Sequence, residues 1–373
     1  MKAPDLAPVP AGRVAAALDS ARQHLARREW TAATAVLADP AIAGAPALVS
    51  LRAQAEWGCG RYDAALASFS AAAEKPSASA EDLVRYAQAL AAMGDSERAE
   101  VVLASDARHG RSVHVEFLRA LFSLDRESLS SVRERFEALA REVPQAGELV
   151  IAACALRVFD HVDAAAPRDF GRESANVRWQ AVLDRAPHVP PARVYGTASA
   201  VLRAALAART LDGATLELGV FHGRSLRQIA ALTPGPVHGF DSFEGLPEDW
   251  TANDPRGSYS TGGSLPEMPP RVTLHRGWFA DTLPAFAAQQ TMPIALAHID
   301  CDLYSSAHTA LEALARLIVP GSILVFDDYF MADDAAGERR AWQEFVAQRG
   351  LCYEYLAFAL LGREAALRVT GFR

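Results

Sequence analysis

The 373-residue sequence predicts two architectures in one chain: an all-helical repeat region, then a doubly wound, mainly parallel α/β sheet with an antiparallel edge. Three observations predict this. The first half is rich in Ala, Leu, Arg and Glu at helical spacing and repeats itself. From about residue 193, short apolar runs alternate with helical patterns. Two of those runs end abruptly in acids: Ile294 to Ile299 leads into Asp300 and Asp302, and Ser322 to Phe326 leads into Asp327-Asp328. Ligands of open α/β sheets sit at the carboxyl ends of strands, so this edge is the expected reaction centre.

Composition narrows the field. Half the residues are apolar and 22% charged, which suits a globular protein with ample core. A net charge of −8 argues against binding nucleic acid through its phosphates. The four cysteines, Cys59, Cys154, Cys301 and Cys352, match no zinc spacing and read as reduced thiols. The N-terminal MKAPDLAPVPAG has no apolar signal core, and no uncharged apolar run could span a bilayer. The expected location is the cytoplasm.

The helical region, residues 1 to about 160, has a readable register. Trp30, Tyr62 and Ser96 share one position, Ala33, Ala65 and Ala99 the next, and Leu37, Phe69 and Leu103 a third. The steps are 32 and 34 residues, with Gly60 and Gly94 in the turns. This resembles the tetratricopeptide repeat, in which a small residue lets paired helices approach and a large apolar one packs between them. A weaker fourth copy runs through Leu129, Val132, Phe136 and Leu139 to Pro144, and Glu148–Val158 would seal the stack. Trp57 and Phe117 are expected core residues. The region reads equally as a concave surface for a partner, substrate or second subunit, and as plain support for the α/β region.

Residues 161–192 lose the repeat and gain Pro167, Arg168, Pro187, Pro190 and Pro191, which predicts a connector with one helix near Ala175–Asp184. An amphipathic helix over Tyr195–Leu211 then opens the region 193–373. Strands are expected at Thr215–Val220, Val237–Phe240, Val272–Arg276, Ile294–Ile299 and Ile323–Phe326. Helices are expected at Ser225–Leu232, Ala307–Leu317 and Gly337–Gln348. Cys352–Leu360 and Ala366–Phe372 form an expected hairpin around Gly362-Arg363.

The first strand ends in Glu217-Leu-Gly219-Val-Phe-His-Gly223-Arg-Ser225, where two glycines permit a tight turn and close backbone approach to a ligand. The E-x-G-x-x-x-G spacing looks like the first motif of class I S-adenosylmethionine (SAM) methyltransferases. The second strand tip carries Asp241, able to accept bonds from both ribose hydroxyls or to cap its own turn.

Beyond that point the motifs are long. His238-Gly-Phe-Asp241-Ser242-Phe-Glu-Gly-Leu-Pro247, Gly277-Trp278-Phe279-Ala-Asp281-Thr-Leu-Pro284, His298-Ile-Asp300-Cys-Asp302-Leu-Tyr304 and Phe326-Asp327-Asp328-Tyr329 follow in one order. In that order they resemble the macrocin and mycinamicin type of sugar O-methyltransferase, over residues 193–373. The resemblance implies a Rossmann-like, mainly parallel seven-stranded sheet with an antiparallel C-terminal edge strand. It implies SAM as donor, magnesium or another divalent cation, and a sugar hydroxyl as acceptor. By position, Glu217, Gly219, Gly223 and Ser225 would line the methionine end of SAM. Asp241 and Ser242 would hold the ribose. Gly277, Trp278 and Phe279 would flank the adenine, and Asp300, Asp327 and Asp328 would bind the metal.

The metal also has a physical argument. Three acids at adjacent strand tips repel one another, and a cation neutralises them unless Arg316, Arg339 or Arg340 does. Catechol methyltransferases, which share this arrangement, carry a lysine base three residues after the first metal acid. Leu303 stands there in this chain. Proton removal therefore falls to a carboxylate, Asp300 or Asp302. His298 reads as a core histidine more than a base, His308 as a surface residue, and Tyr304 as either an acceptor contact or packing. The polar stretch from Glu248 to Pro270, and a second around Asp333 and Asp334, read as lids over the acceptor.

The primary expectation is a SAM- and Mg2+-dependent O-methyltransferase acting on a sugar of a glycosylated metabolite or glycan. The alternatives are a phenol or a repeat-bound peptide as acceptor, and a repeat scaffold with an inactive SAM domain.

Overall fold

The computed structural model describes residues 11–39, 42, 45–105, 110–162, 173–331 and 337–373. Two compact units result, residues 1–90 with 101–110, and residues 91–100 with 111–373.

The first unit contains the helices Ala11–Ala26, Trp30–Leu37, Val49–Gly58 and Tyr62–Ala73. The sequence register is the register of the fold. Trp30, Tyr62 and Ser96 are each the first residue of a helix. Ala33, Ala65 and Ala99 are fully buried, and Leu37, Phe69 and Leu103 nearly so. The residue two before each helix is left-handed, with φ of 58° at Arg28, 71° at Gly60 and 88° at Gly94. One turn geometry thus recurs, although only two copies carry the glycine that favours it. Trp57 is half-buried with its ring 5.1 Å from that of Tyr62.

The second unit begins with further helices, including Val113–Ser123, Leu129–Glu142 and Gly147–Phe159. Val132, Phe136 and Leu139 of the weak fourth copy are buried, and Phe117 stacks edge-on to Phe136 at 5.5 Å. These residues share one core cluster with Leu216, Ala297 and Leu324 of the sheet. The connector helix is Glu173–Arg185. Pro167 and Arg168 lie outside the described residues, as do Asp333 and Asp334.

The sheet has eight strands: β1 Arg193–Tyr195, β2 Ala214–Leu218, β3 Val237–Asp241, β4 Val272–Arg276, β5 Ile294–Ile299, β6 Ile323–Phe326, β7 Leu351–Ala359 and β8 Ala365–Phe372. Their order is β1-β7-β8-β6-β5-β2-β3-β4. β8 is antiparallel to both β6 and β7, and the remaining pairs are parallel. Two expectations are corrected. The sheet has eight strands instead of seven, and its antiparallel strand is interior. Because β8 sits between β6 and β7, the outer side of β7 stays open and β1 fills it. The helix expected over Tyr195–Leu211 is shorter for the same reason, since Tyr195 belongs to β1. It spans Ala198–Ala207 and is started by Thr197, whose Oγ1 accepts the Ala200 N–H at 3.1 Å.

Side chains alternate across the strands, so both faces bury apolar surface. Leu216, Leu218, Leu324 and Phe326 face one core, with Leu283, Leu311 and Trp342 from helices. Val237, Leu296, Ile323 and Val325 face the other, with Val201, Leu226 and Ile229. The chain leaves β2 toward β3 and β4, then returns with β5 on the other side of β2. The β2/β5 boundary is therefore the switch point, where a crevice opens at the carboxyl ends.

Candidate active site

At the switch point the backbones meet closely. The Asp300 N–H donates to the Leu218 carbonyl at 2.9 Å, extending the β2–β5 ladder past the strand end. Gly219 has φ 93°, and a Cβ there would lie 1.7 Å from the Asp300 carbonyl oxygen. The close approach that demands glycine is thus made by the chain's own Asp300 backbone. Gly223, at φ 75°, caps the helix Arg224–Leu232 and lies under Met268 of the long polar stretch.

Glu217 and His298 face each other across β2 and β5. Glu217 is fully buried and accepts a bond from His298 Nδ1 at 2.8 Å. Burial opposes charge on His298, but the hydrogen bond and charge of Glu217 outweigh it and raise its pKa. His298 Nε2 lies 4.0 Å from Asp327 Oδ1. It is a buried, satisfied histidine and also a link between two acids.

Asp241 is largely occupied by backbone donors. Its Oδ2 accepts the N–H groups of Val220 at 2.8 Å and Phe221 at 2.7 Å, and its Oδ1 accepts that of Phe243 at 2.7 Å. It braces the glycine turn and caps its own. A carboxylate offers about four lone-pair sites, so roughly one remains for a ligand. Next to it, Ser242 Oγ accepts from the Glu244 N–H at 3.1 Å. Gly277 joins the same corner, its N–H donating to the Asp241 carbonyl at 2.9 Å. Trp278, exposed, precedes the helix that Phe279 begins. Ser225 lies in the first turn of the Arg224–Leu232 helix, half-buried.

Among the described residues, the acids that follow β5 and β6 lack such backbone donors. Their carboxylate oxygens form two groups, each within 4.8 Å: Asp300 with Asp302 and Asp328, and Asp300 with Asp327 and His298. The expected set of Asp300, Asp327 and Asp328 is thereby divided. Consecutive residues at a strand end point to opposite sides, which sends Asp327 toward His298 and Asp328 toward Asp302. Asp302 enters through its left-handed backbone, φ 63°. Burial, then the charges of Asp327 and Asp302, raise the Asp300 pKa well above the carboxylate range. Burial and Asp328 push Asp302 to about 8, and burial and Asp327 push Asp328 to about 6. An all-oxygen set that holds its charge this reluctantly fits a hard divalent cation.

Two residues of this centre had no sequence signal. Glu338, fully buried, opens the helix Glu338–Arg349. It accepts the N–H groups of Cys301 at 3.0 Å, Asp302 at 3.2 Å and Asp328 at 3.1 Å, tying both acid-bearing loops to one side chain. Arg363, in the β7–β8 turn, places Nη1 2.6 Å from Asp328 Oδ1. The arginines expected there pair elsewhere: Arg339 with Asp184, Arg340 with Glu344, and Arg316 with the Gln290 carbonyl. A glutamate at a helix start and an arginine in a turn are too common to stand out.

Other candidates fall away from the centre. Tyr304 donates to Glu344 at 2.6 Å and lies under Arg340 and beside His308, which makes it a packing residue. Leu303 is buried, so no side chain there replaces the lysine. The stretch from Glu248 to Pro270 is folded onto the strand ends. Phe243 O accepts from the Thr261 and Gly263 N–H groups, Leu246 pairs with Gly257 and Ser258, and Ser305 Oγ donates to Glu248 at 2.5 Å.

Comparison with known proteins adds a class. A family profile described as "Methyltransferase domain" matches residues 216–329, the segment from β2 to just past β6. At the level of single proteins, an enzyme of Streptomyces olivaceus is 32% identical over 146 residues, 32% of this chain and 54% of its own. It is 8-demethyl-8-(2,3-dimethoxy-alpha-L-rhamnosyl)-tetracenomycin-C 4'-O-methyltransferase. The chain thus spans about half the length of the curated relative it matches. Among solved structures, the O-methyltransferase NovP aligns at 19% identity and a TM-score of 0.37, over 60% of this chain and 99% of its own. CalS11, a calicheamicin methyltransferase, aligns at 20% identity and a TM-score of 0.33, over 71% and 99%.

Proposed function

We propose that the chain is a SAM-dependent O-methyltransferase that uses a divalent cation, with a sugar hydroxyl of a glycosylated natural product as acceptor. The observation that carries this reading is the acid cluster at the β2/β5 switch point, set beside a braced glycine turn. The methyltransferase-domain match over that segment, and a relative that methylates a rhamnosyl group, support it.

In this reading the glycine turn from Gly219 to Gly223, with Glu217 and Ser225, receives the methionine end of SAM. Asp241 contributes its remaining acceptor position to the ribose beside Ser242, and Gly277, Trp278 and Phe279 line the adenine. Of the expected ligands, Asp300 and Asp328 would hold the cation together with Asp302, whose oxygens converge with theirs, and Asp327 would stand beside His298. A bound cation would supply the Lewis acidity that lowers the pKa of an aliphatic hydroxyl. The protein's task is then alignment of that hydroxyl with the sulfonium methyl and removal of its proton. Asp300 takes the proton, with Asp302 as the second candidate. Glu338 keeps both loops in register while this happens.

Isothermal titration with SAM and a methylation assay with and without EDTA test the reading. Binding of SAM, with activity lost in EDTA and restored by Mg2+, is expected. Absence of SAM binding would instead favour a repeat scaffold. For the helical region, the recurring turn at Arg28, Gly60 and Gly94 supports a tetratricopeptide-like array.

A further inference from the structure

Among the described residues, one guanidinium faces the acid cluster, that of Arg363. Arg363 Nη1 lies 2.6 Å from Asp328 Oδ1, yet the Arg363 side chain is 49% exposed while that of Asp328 is 4% exposed. The turn that bears it is fixed by its backbone, independently of the guanidinium. The Phe330 N–H donates to the Arg363 carbonyl at 3.0 Å, and Arg185 Nη2 to the Gly362 carbonyl at 2.7 Å. Arg185 is buried against Phe330, 4.1 Å from the ring centroid, which anchors that side of the turn. The long arginine stem can therefore swing while the hairpin stays in place. In this same position the guanidinium has further partners: the Trp250 ring centroid lies 5.9 Å from its carbon, and Met331 Sδ 2.7 Å from Nη1, so contacts besides Asp328 hold it.

Asp328 is also the acid that a divalent cation needs, since it groups with Asp300 and Asp302. Two cations cannot hold the same inward-facing oxygen. We propose that Arg363 is the exchangeable counter-ion of this site. It neutralises Asp328 before metal arrives and competes with the metal for that carboxylate, and once displaced it is left with its Trp250 and Met331 partners. Arg363 thus sets the metal affinity of the centre. The inference rests on the divalent-cation reading above.

The test is calorimetric titration of the full chain with MnCl2, comparing wild type with Arg363→Ala and Arg363→Met, together with thermal midpoints with and without Mn2+. Removing a competitor that occupies most of the free state should tighten Mn2+ binding on the order of tenfold. The variants should melt lower than wild type without metal, having lost the counter-ion, and level with it when loaded. A purely structural arginine would lower both midpoints and weaken binding or leave it unchanged, and that result would overturn the proposal. Failure of the wild-type protein to bind Mn2+ would sink the cation reading itself, and the inference with it. Wild-type binding with unaltered affinity in the variants would sink the inference alone.

Discussion

Two corners of one sheet edge hold acids, and they treat them in opposite ways. At the β2/β3 corner, Asp241 accepts three backbone N–H bonds. At the β5/β6 corner, Asp300, Asp302 and Asp328 crowd together, and among the described residues a single guanidinium faces Asp328. Backbone donors stabilise a carboxylate's charge, whereas crowding and burial penalise it. The first acid is therefore built into the scaffold, and the others are held in a state that a cation would relieve. Identical chemistry at two strand tips is braced by backbone donors in one place and left crowded in the other.

Substitutions can break this contrast. Asp300→Asn should have the largest effect, lowering the methylation rate about 1000-fold, or ~4 kcal/mol, while SAM binding persists. Full activity in that variant would remove Asp300 from the mechanism. Gly219→Ala should cost about 3 kcal/mol of stability in denaturant titration, since its Cβ meets the Asp300 carbonyl in a left-handed conformation. Asp241→Ala should cost ~2 kcal/mol by leaving backbone donors of the glycine turn unpaired, and should weaken SAM binding as that turn loosens. A variant with unchanged stability but weakened SAM binding would make Asp241 a ligand more than a brace.

A smaller effect is expected on pH. Burial, then the neighbouring His275, lowers the pKa of His238, and burial lowers that of His275. The unfolded chain binds these protons first as pH falls. The stability they contribute is complete above the unfolded value of about 6.5 and is lost below it, down through the lowered folded values. Denaturant midpoints at pH 7 and pH 5.5 would show the fall, and His275→Phe should flatten it. Tyr304→Phe should change activity and stability least, by under ~0.5 kcal/mol, because its hydroxyl meets the half-buried Glu344 at the surface of the helix Glu338–Arg349. A large loss of rate there would return Tyr304 to the acceptor site.

Much of the contrast is legible in the chain itself, and for a physical reason. Apolar runs that stop at acids mark buried strand ends whatever the fold around them, so Asp241, Asp300, Asp327 and Asp328 can be placed at one edge from local pattern. What Asp241 does there cannot be read, because two of its donors, Val220 and Phe221, come from another loop. Asp302 is legible as an acid and illegible as a partner of Asp328, since that depends on one left-handed residue. Arg363 and Glu338 are invisible in their roles, being distant in the chain and unremarkable in type.

Taken alone, the sequence determined the helical register of Trp30, Tyr62 and Ser96, the alternation of strand and helix, and the acids at the strand tips. All of these follow from hydrophobic periodicity and turn chemistry within a few residues. Tertiary structure alone decided that β1 joins the sheet through the open side of β7, and that Gly219 makes room for Asp300. It alone decided which acid meets backbone donors, which meets His298 and which meets Arg363. Those outcomes turn on close approach between segments far apart in the chain, where a shift of an ångström reverses the result.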